Sequence, residues 1–151
     1  MKNPWYITGL CDGEGCFSVS FNFRSRLKSG IEVRPSFSVT LNKRDIHMIK
    51  DVREYFGVGG IRFSKSDQCY KFEVRGIKDL YKIIIPHFDE YPLQSSKLKD
   101  FEIFKDICTL IYRNQHLCKS TLEQIIKKAY QMNPSGKRKI PIEKLLKQLA
   151  R

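Results

Sequence analysis

The stretch Ile7-Thr8-Gly9-Leu10-Cys11-Asp12-Gly13-Glu14-Gly15 decides the reading of this chain. Just upstream, Asn3-Pro4 is a favourable helix start, with Asn as the cap and Pro at the first helical position. Trp5 to Leu10 supply an apolar body, and Gly15 supplies a natural stop. The spacing predicts a short helix whose last turn carries Asp12 and Glu14. That is the negative end of the helix dipole, where Lys or Arg would stabilise. Carboxylates placed against a local rule point to a site, and the arrangement asks for a cation, a divalent metal first. Gly9 and Gly13 are four residues apart and leave one helical face nearly bare, so a second helix could approach closely. The chain has one such helix, so the partner would come from a second copy. A symmetric dimer would gather two Glu14 and two Asp12 side chains at one point. On these residues alone, a surface helix ending in solvated acids stands beside that reading.

The chain around this helix is basic: 28 Lys and Arg against 16 Asp and Glu among 151 residues, a net charge of +12. Such an imbalance favours a polyanionic partner, nucleic acid before an anionic membrane surface. The length predicts one domain, 1–151, with room for a real core. No apolar run reaches membrane-spanning length, and the N-terminus lacks a signal-peptide core, so no membrane role is expected. Cys11, Cys16, Cys69, Cys108 and Cys118 are odd in number and lack both a CxxC pair and a His at zinc spacing. They read as reduced thiols in a reducing compartment, mostly in the core. His47, His87 and His116 are scattered and read as structural or surface residues.

Beyond Gly15 the period changes to two. Phe17, Val19, Phe21 and Phe23 point one way, and Ser18, Ser20, Asn22, Arg24 and Arg26 the other; Lys28-Ser29-Gly30 makes the turn. Ile31, Val33, Phe37, Val39 and Leu41 then alternate with Glu32, Arg34, Ser36, Ser38, Thr40 and Asn42. Pro35 predicts an edge position or a bulge. A helix over 43–56 stops at Gly57, and a second hairpin sets Ile61, Phe63, Tyr70, Phe72 and Val74 against Arg62, Ser64, Lys71, Glu73 and Arg75. Helical patterns follow over 77–88, 95–113, 121–132 and 141–151, with a flexible basic loop at 133–139. The order predicts an α+β fold with a four-stranded antiparallel sheet, its apolar face packed on helices and its polar face open. Ser, Asn, Thr, Arg and Lys on that face are the types that bond base edges and phosphates, although a merely solvated face carries them too. A ten-residue strand spans roughly 33 Å, close to one turn of B-DNA, so one subunit would read about 10 bp and a two-fold dimer about 20 bp.

These residues resemble the LAGLIDADG homing endonucleases. The resemblance is carried by the run 7–15, by Gly57-Val58-Gly59-Gly60-Ile61, by Tyr91-Pro92-Leu93-Gln94-Ser95-Ser96-Lys97 and by Lys99-Asp100-Phe101, and it spans about residues 4–135. It implies an αββαββα fold with extra C-terminal helices, of the single-motif type that works as a homodimer. It further implies a metal-dependent, intron-encoded DNA endonuclease that hydrolyses both strands of a long pseudo-palindromic site and leaves 3′ overhangs. Glu14 matches the acidic metal-binding position, with the Gly13 carbonyl as a further ligand for Mg2+, for which Mn2+ could substitute. Gly9, Gly13 and Asp12 fall at the dimer interface. Lys97 matches the basic residue near the scissile phosphate. Some relatives place a polar residue at the end of the second strand; Leu41 is apolar here, so Asn42 is assigned that role beside Glu14 and Lys97. DNA contact is expected from Ser18, Ser20, Asn22, Arg24, Arg26, Arg34, Ser36, Ser38, Thr40, Arg62, Ser64, Lys71, Glu73, Arg75, Lys137, Arg138 and Lys139. The expected partners are double-stranded DNA and a second copy, with no other protein. Family habit points to an organelle, a chloroplast or mitochondrion. A maturase-like RNA-binding protein, or a DNA-binding protein that does not cut, is the alternative on the same fold.

Overall fold

The structure is a computed structural model and describes residues 2–133 and 136–151. Its elements run α1 (Pro4–Glu14), β1 (Gly15–Phe23), β2 (Ile31–Asn42), α2 (Ile46–Phe56), β3 (Gly60–Ser64) and β4 (Cys69–Val74). Then come α3 (Ile77–Asp79), a π turn (Leu80–Ile84), α4 (Ile85–Glu90), α5 (Lys97–Tyr112), α6 (Lys119–Ala129) and α7 (Ile142–Leu149). This is the αββαββα order followed by extra helices. The four strands form one antiparallel sheet in the order β1-β2-β4-β3.

Helix α1 starts as its residues require, with the Asn3 side chain accepting the Trp5 N–H at 2.8 Å and Pro4 at the first position. It ends without a loop. Gly15 has φ −80° and ψ 156°, ordinary extended backbone, so β1 begins where the helix stops. Glycine is needed there for closeness and not for handedness: a Cβ on Gly15 would lie 2.8 Å from the Cys11 carbonyl oxygen. The tight junction places Glu14 between the helix and the sheet. At α2, by contrast, Gly57 does adopt the left-handed conformation (φ 72°) that lets its N–H cap the Arg53 carbonyl.

The apolar sheet face is covered by α2, α4 and α5 around a cluster of phenylalanines. Phe17 lies 5.0 Å from Phe37, 5.4 Å from Phe88 and 5.2 Å from Phe104, ring centre to ring centre. Each such fully buried side chain contributes roughly 1.5–3 kcal/mol. Pro86 lies inside the run predicted as one helix over 77–88. It lacks the N–H for a bond one turn back, and the chain absorbs the loss in the π turn just before it.

Two expectations need correction, and that for Pro35 is met in a local form. Phe23, placed on the apolar face by the alternation, is 47% exposed: it is the last residue of β1, at the end of the paired ladder. Arg26 falls in the turn beyond the strand, which the Arg24 N–H to Gly30 carbonyl bond closes. Pro35 lies in β2, an inner strand, with no bulge: it pairs with Val19, and β4 reaches only as far as Phe37 on the other side. No donor is missing at Pro35, so the position is a local edge.

Candidate nucleic-acid interface and metal-binding helix end

The puzzle of the acidic helix end is resolved by the loop before α5. Asp12 accepts from two backbone N–H groups, that of Gln94, shared between its two oxygens (3.1 and 3.0 Å), and that of Ser95 (3.0 Å). Partial burial would push its carboxyl pKa up, but these N–H donors and the nearby Lys97 outweigh that and hold it below the ordinary value. Two residues on, the Lys97 ammonium donates to the Cys11 carbonyl at 2.9 Å and the Asp12 carbonyl at 3.1 Å. The positive charge that the dipole calls for at the end of α1 therefore comes from α5, more than 80 residues away. Within one chain, the Asp12 carboxylate anchors the loop before α5.

Glu14 is left over. It is exposed, at the last position of α1, and among the described residues it makes no ion pair or side-chain hydrogen bond. Its carboxylate and the backbone oxygen of the exposed Gly13 are hard donors of the kind that suit Mg2+. Among the described residues no three His, Cys, Asp or Glu side chains cluster as a metal site, so one copy offers only part of a coordination shell. Gly9 and Gly13 leave the outer face of α1 open: a Cβ at either would meet nothing within 4 Å. Trp5, 51% exposed, and Tyr6 flank that bare face.

Next to Glu14 the polar sheet face begins. Strand alternation puts Ser18, Ser20, Asn22, Arg34, Ser36, Ser38, Thr40, Lys71, Glu73 and Arg75 on one side, with Arg62 and Ser64 on the adjoining β3. Ser38 is largely covered by its neighbours, and Arg24 extends the row at the hairpin end. Lys137 and Lys139 are exposed but stand outside the sheet.

Two site assignments change. Asn42 caps the short 3-10 turn after β2, its side-chain oxygen accepting the Arg44 N–H at 3.0 Å, so that oxygen serves the backbone. Arg138 was expected to touch DNA. Its guanidinium instead donates to the Val19 and Ala129 carbonyls and stacks 4.5 Å over the Tyr130 ring. With Asn133, which donates to the Phe17 carbonyl at 2.9 Å, it covers the free edge of β1. The flexible-loop expectation over 133–139 falls in part on Pro134 and Ser135, which lie outside the described residues; Asn133 and Arg138 are held.

Cys16, outside the expected DNA-contact set, lies on the same face, opposite Ser38. It is exposed on the polar face beside Glu14, and desolvation holds its thiol pKa above the ordinary value against the opposing pull of Lys97 and Lys71. The alternation 16, 18, 20, 22 already marked it.

Known proteins share this arrangement. The chain is 38% identical over 119 residues to an uncharacterized 50.9 kDa protein in ND4 intron 1 of Podospora anserina, covering 78% of this chain and 26% of that one. It therefore spans about a quarter of that relative's length. The crystal structure of the homing endonuclease I-TnaI superposes with a TM-score of 0.85 at 32% identity, covering 99% of this chain and 97% of that one. The I-SmaMI LAGLIDADG homing endonuclease bound to cleaved DNA gives a TM-score of 0.88 at 32% identity, with 99% of this chain matched to 48% of that one. I-SmaMI has also been solved on uncleaved DNA target in the presence of calcium ions. The LAGLIDADG endonuclease family model matches residues 7–108, and the chain belongs to that family.

Proposed function

We propose that this protein is a site-specific double-strand DNA endonuclease acting as a homodimer with a divalent metal, Mg2+ or in its place Mn2+. The observation that carries the reading is Glu14: an exposed carboxylate at the foot of a glycine-faced helix, beside a pinned lysine and at the head of a basic sheet face. Relatives bound to DNA support the substrate, and an intron-encoded relative supports an organellar setting. Two copies joined along α1 would bring both Glu14 carboxylates to the symmetry axis, one for each strand, where cuts would leave short 3′ overhangs.

Glu14 and the Gly13 carbonyl would hold the metal. When bound, a divalent cation there supplies positive charge to the developing phosphorane and lowers the pKa of a bound water. The chain's own residues do the rest. Lys97 is held rigidly by two carbonyls and keeps one ammonium proton for a phosphate oxygen or an ordered water. The sheet grips the duplex: β2, twelve residues long, spans about 40 Å at the usual rise per residue. The single domain expected over 1–151 would thus carry half of a two-fold site.

The test is incubation with a randomised duplex library and Mg2+, for the parent protein and Glu14→Gln. Site-selective cutting that Glu14→Gln abolishes while DNA binding persists supports the reading. Cutting by both proteins alike removes Glu14 from the chemistry, and binding to duplex or intron RNA without any metal-dependent nicking favours the maturase-like alternative.

A further inference from the structure

A basic DNA-binding face gains nothing in phosphate attraction from carboxylates, since each cancels a positive charge. This face nevertheless holds two, and they are arranged alike. Glu73 on β4 is 16% exposed, and both of its oxygens are engaged. One accepts the Ser36 hydroxyl at 2.8 Å with Lys71 Nζ at 3.4 Å; the other lies 3.1 Å from Arg75 Nε and 3.8 Å from Arg62 Nη2. The donors come from β2, β3 and β4, so one carboxylate ties three strands at the surface. On β2, Glu32 stands 3.0 Å from Arg24 Nε and 3.4 Å from Arg34 Nε.

Three of these four arginine pairs, on Arg24, Arg34 and Arg75, use Nε, and the longer one, on Arg62, uses Nη2. A guanidinium gripped through Nε keeps hydrogens on its two terminal nitrogens for a second planar acceptor; on Arg34 one Nη1 hydrogen goes to the Asn22 amide oxygen at 3.2 Å and the other stays available. In the major groove that acceptor is the O6 and N7 edge of guanine. The side-chain freedom that a loose arginine would lose on binding is already lost here. Both carboxylates border the same open cleft of about 420 Å3, floored by Ser18, Ser20 and Ser36. Glu73 is too fully engaged to accept from a base itself.

We propose that Glu32 and Glu73 are positioning residues for base recognition, holding the forks of Arg24, Arg34 and Arg75 toward guanine edges in the major groove. The proposal rests on the DNA-recognition reading above. It assigns the two acids a role in specificity and none in cutting.

The test is selection of bound sites from a randomised duplex library by the parent protein, Glu32→Gln, Glu73→Gln, Arg75→Ala and the Glu73→Gln/Arg75→Ala pair, with thermal midpoints measured alongside. Glu73→Gln should weaken the guanine preference at one or two adjacent positions about tenfold while leaving other positions unchanged. Affinity for unrelated duplex should rise, because a negative charge has left the face. Adding Glu73→Gln to Arg75→Ala should change nothing further at those positions. Parent-like base preferences in both Gln variants overturn the proposal. So does a uniform loss across all positions with a lowered midpoint, which would make the acids framework only. A parent protein that selects no sequence overturns the underlying DNA reading instead, and the two failures are distinct.

Discussion

Lys97 Nζ sits 2.9 Å from the Cys11 carbonyl oxygen, so the charge that steadies the C-terminal end of α1 is delivered by the first residue of α5. On the proposed function, the same ammonium would meet a phosphate beside Glu14. Structure and chemistry therefore meet on one side chain. Lys97→Met should lower single-turnover cleavage roughly 100-fold and lower stability by about 1.5–3 kcal/mol through the loss of the two carbonyl contacts. Lys97→Arg should recover more of the stability than of the rate, since a planar fork cannot occupy the same point. Equal losses of rate and stability in both variants would assign Lys97 to the framework alone.

Glu14 makes the opposite expectation. It is exposed and has no side-chain partner among the described residues, so Glu14→Gln should move stability by less than about 0.5 kcal/mol. Cleavage should disappear and DNA binding should survive. A thermal melt beside a gel-shift titration separates the two, and a large drop in the melting midpoint would contradict the placement of Glu14.

Asp12 is structural by the same logic. Its carboxylate accepts from two backbone N–H groups, those of Gln94 and Ser95, and hydrogen bonds to a charged group are worth about 1.5–3 kcal/mol each. Asp12→Ala should cost at least one such bond's worth of stability. Because the folded carboxyl titrates below its ordinary value, this stabilisation is present above the unfolded pKa and fades as pH falls through the folded one. The stability difference between the parent and Asp12→Ala should therefore shrink in acid. A difference independent of pH would contradict the assignment.

How much of this was legible in the residues differs by range. The start of α1, the two hairpins and the stop at Gly57 follow from local chemistry, and the structure follows it. The role of Asp12 could not be read, because its partners lie 82 and 83 residues away. The helix end looked wrong only because Lys97 is remote in sequence. Arg138 was misjudged for the same reason: composition marks a basic loop, while docking on Val19 across 119 residues is a tertiary event. Alternation gave the sides of the sheet but not their cover, so Phe23, and Ile61 and Phe63 on the edge strand β3, are more exposed than their pattern implied. The recurrent Nε grip on Glu32 and Glu73 needs side-chain coordinates and has no sequence signal at all.

His87 gives a second pH prediction, again a loss of stability in acid. It is 7% exposed, with Nε2 3.0 Å from Thr8 Oγ1 and Nδ1 2.9 Å from the Tyr55 hydroxyl. Thr8 donates to the Tyr91 carbonyl at 2.8 Å, so its oxygen accepts from Nε2–H and Nδ1 accepts from Tyr55. The ring is neutral in that network, and burial pushes its pKa down to about 4. As pH falls below 6.5 the unfolded chain takes up a proton that the folded chain refuses until about pH 4. Stability should fall across that window by on the order of 3 kcal/mol, loosening the seat of α1. His87→Gln should flatten the melting profile between pH 6.5 and 4, and an unflattened profile would remove His87 as its source.

The glycine face offers the sharpest separation of folding from assembly. Gly9 and Gly13 lie inside α1, where replacing Gly by Ala should stabilise a helix by roughly 0.5–1 kcal/mol. Nothing in the chain opposes this, since an added Cβ at either position meets no atom within 4 Å. In an isolated subunit, Gly9→Ala and Gly13→Ala should therefore be neutral or stabilising. In a homodimer joined through α1 the same methyl groups push two backbones apart. Each variant should then shift sedimentation or light scattering toward the monomer, more so for leucine than for alanine. Cleavage should fall with the dimer fraction and recover at higher protein concentration. Glycine would have been kept at a conformational cost for the sake of a second copy. Variants that stabilise the fold and leave both mass and cutting untouched would place the dimer seam somewhere other than α1.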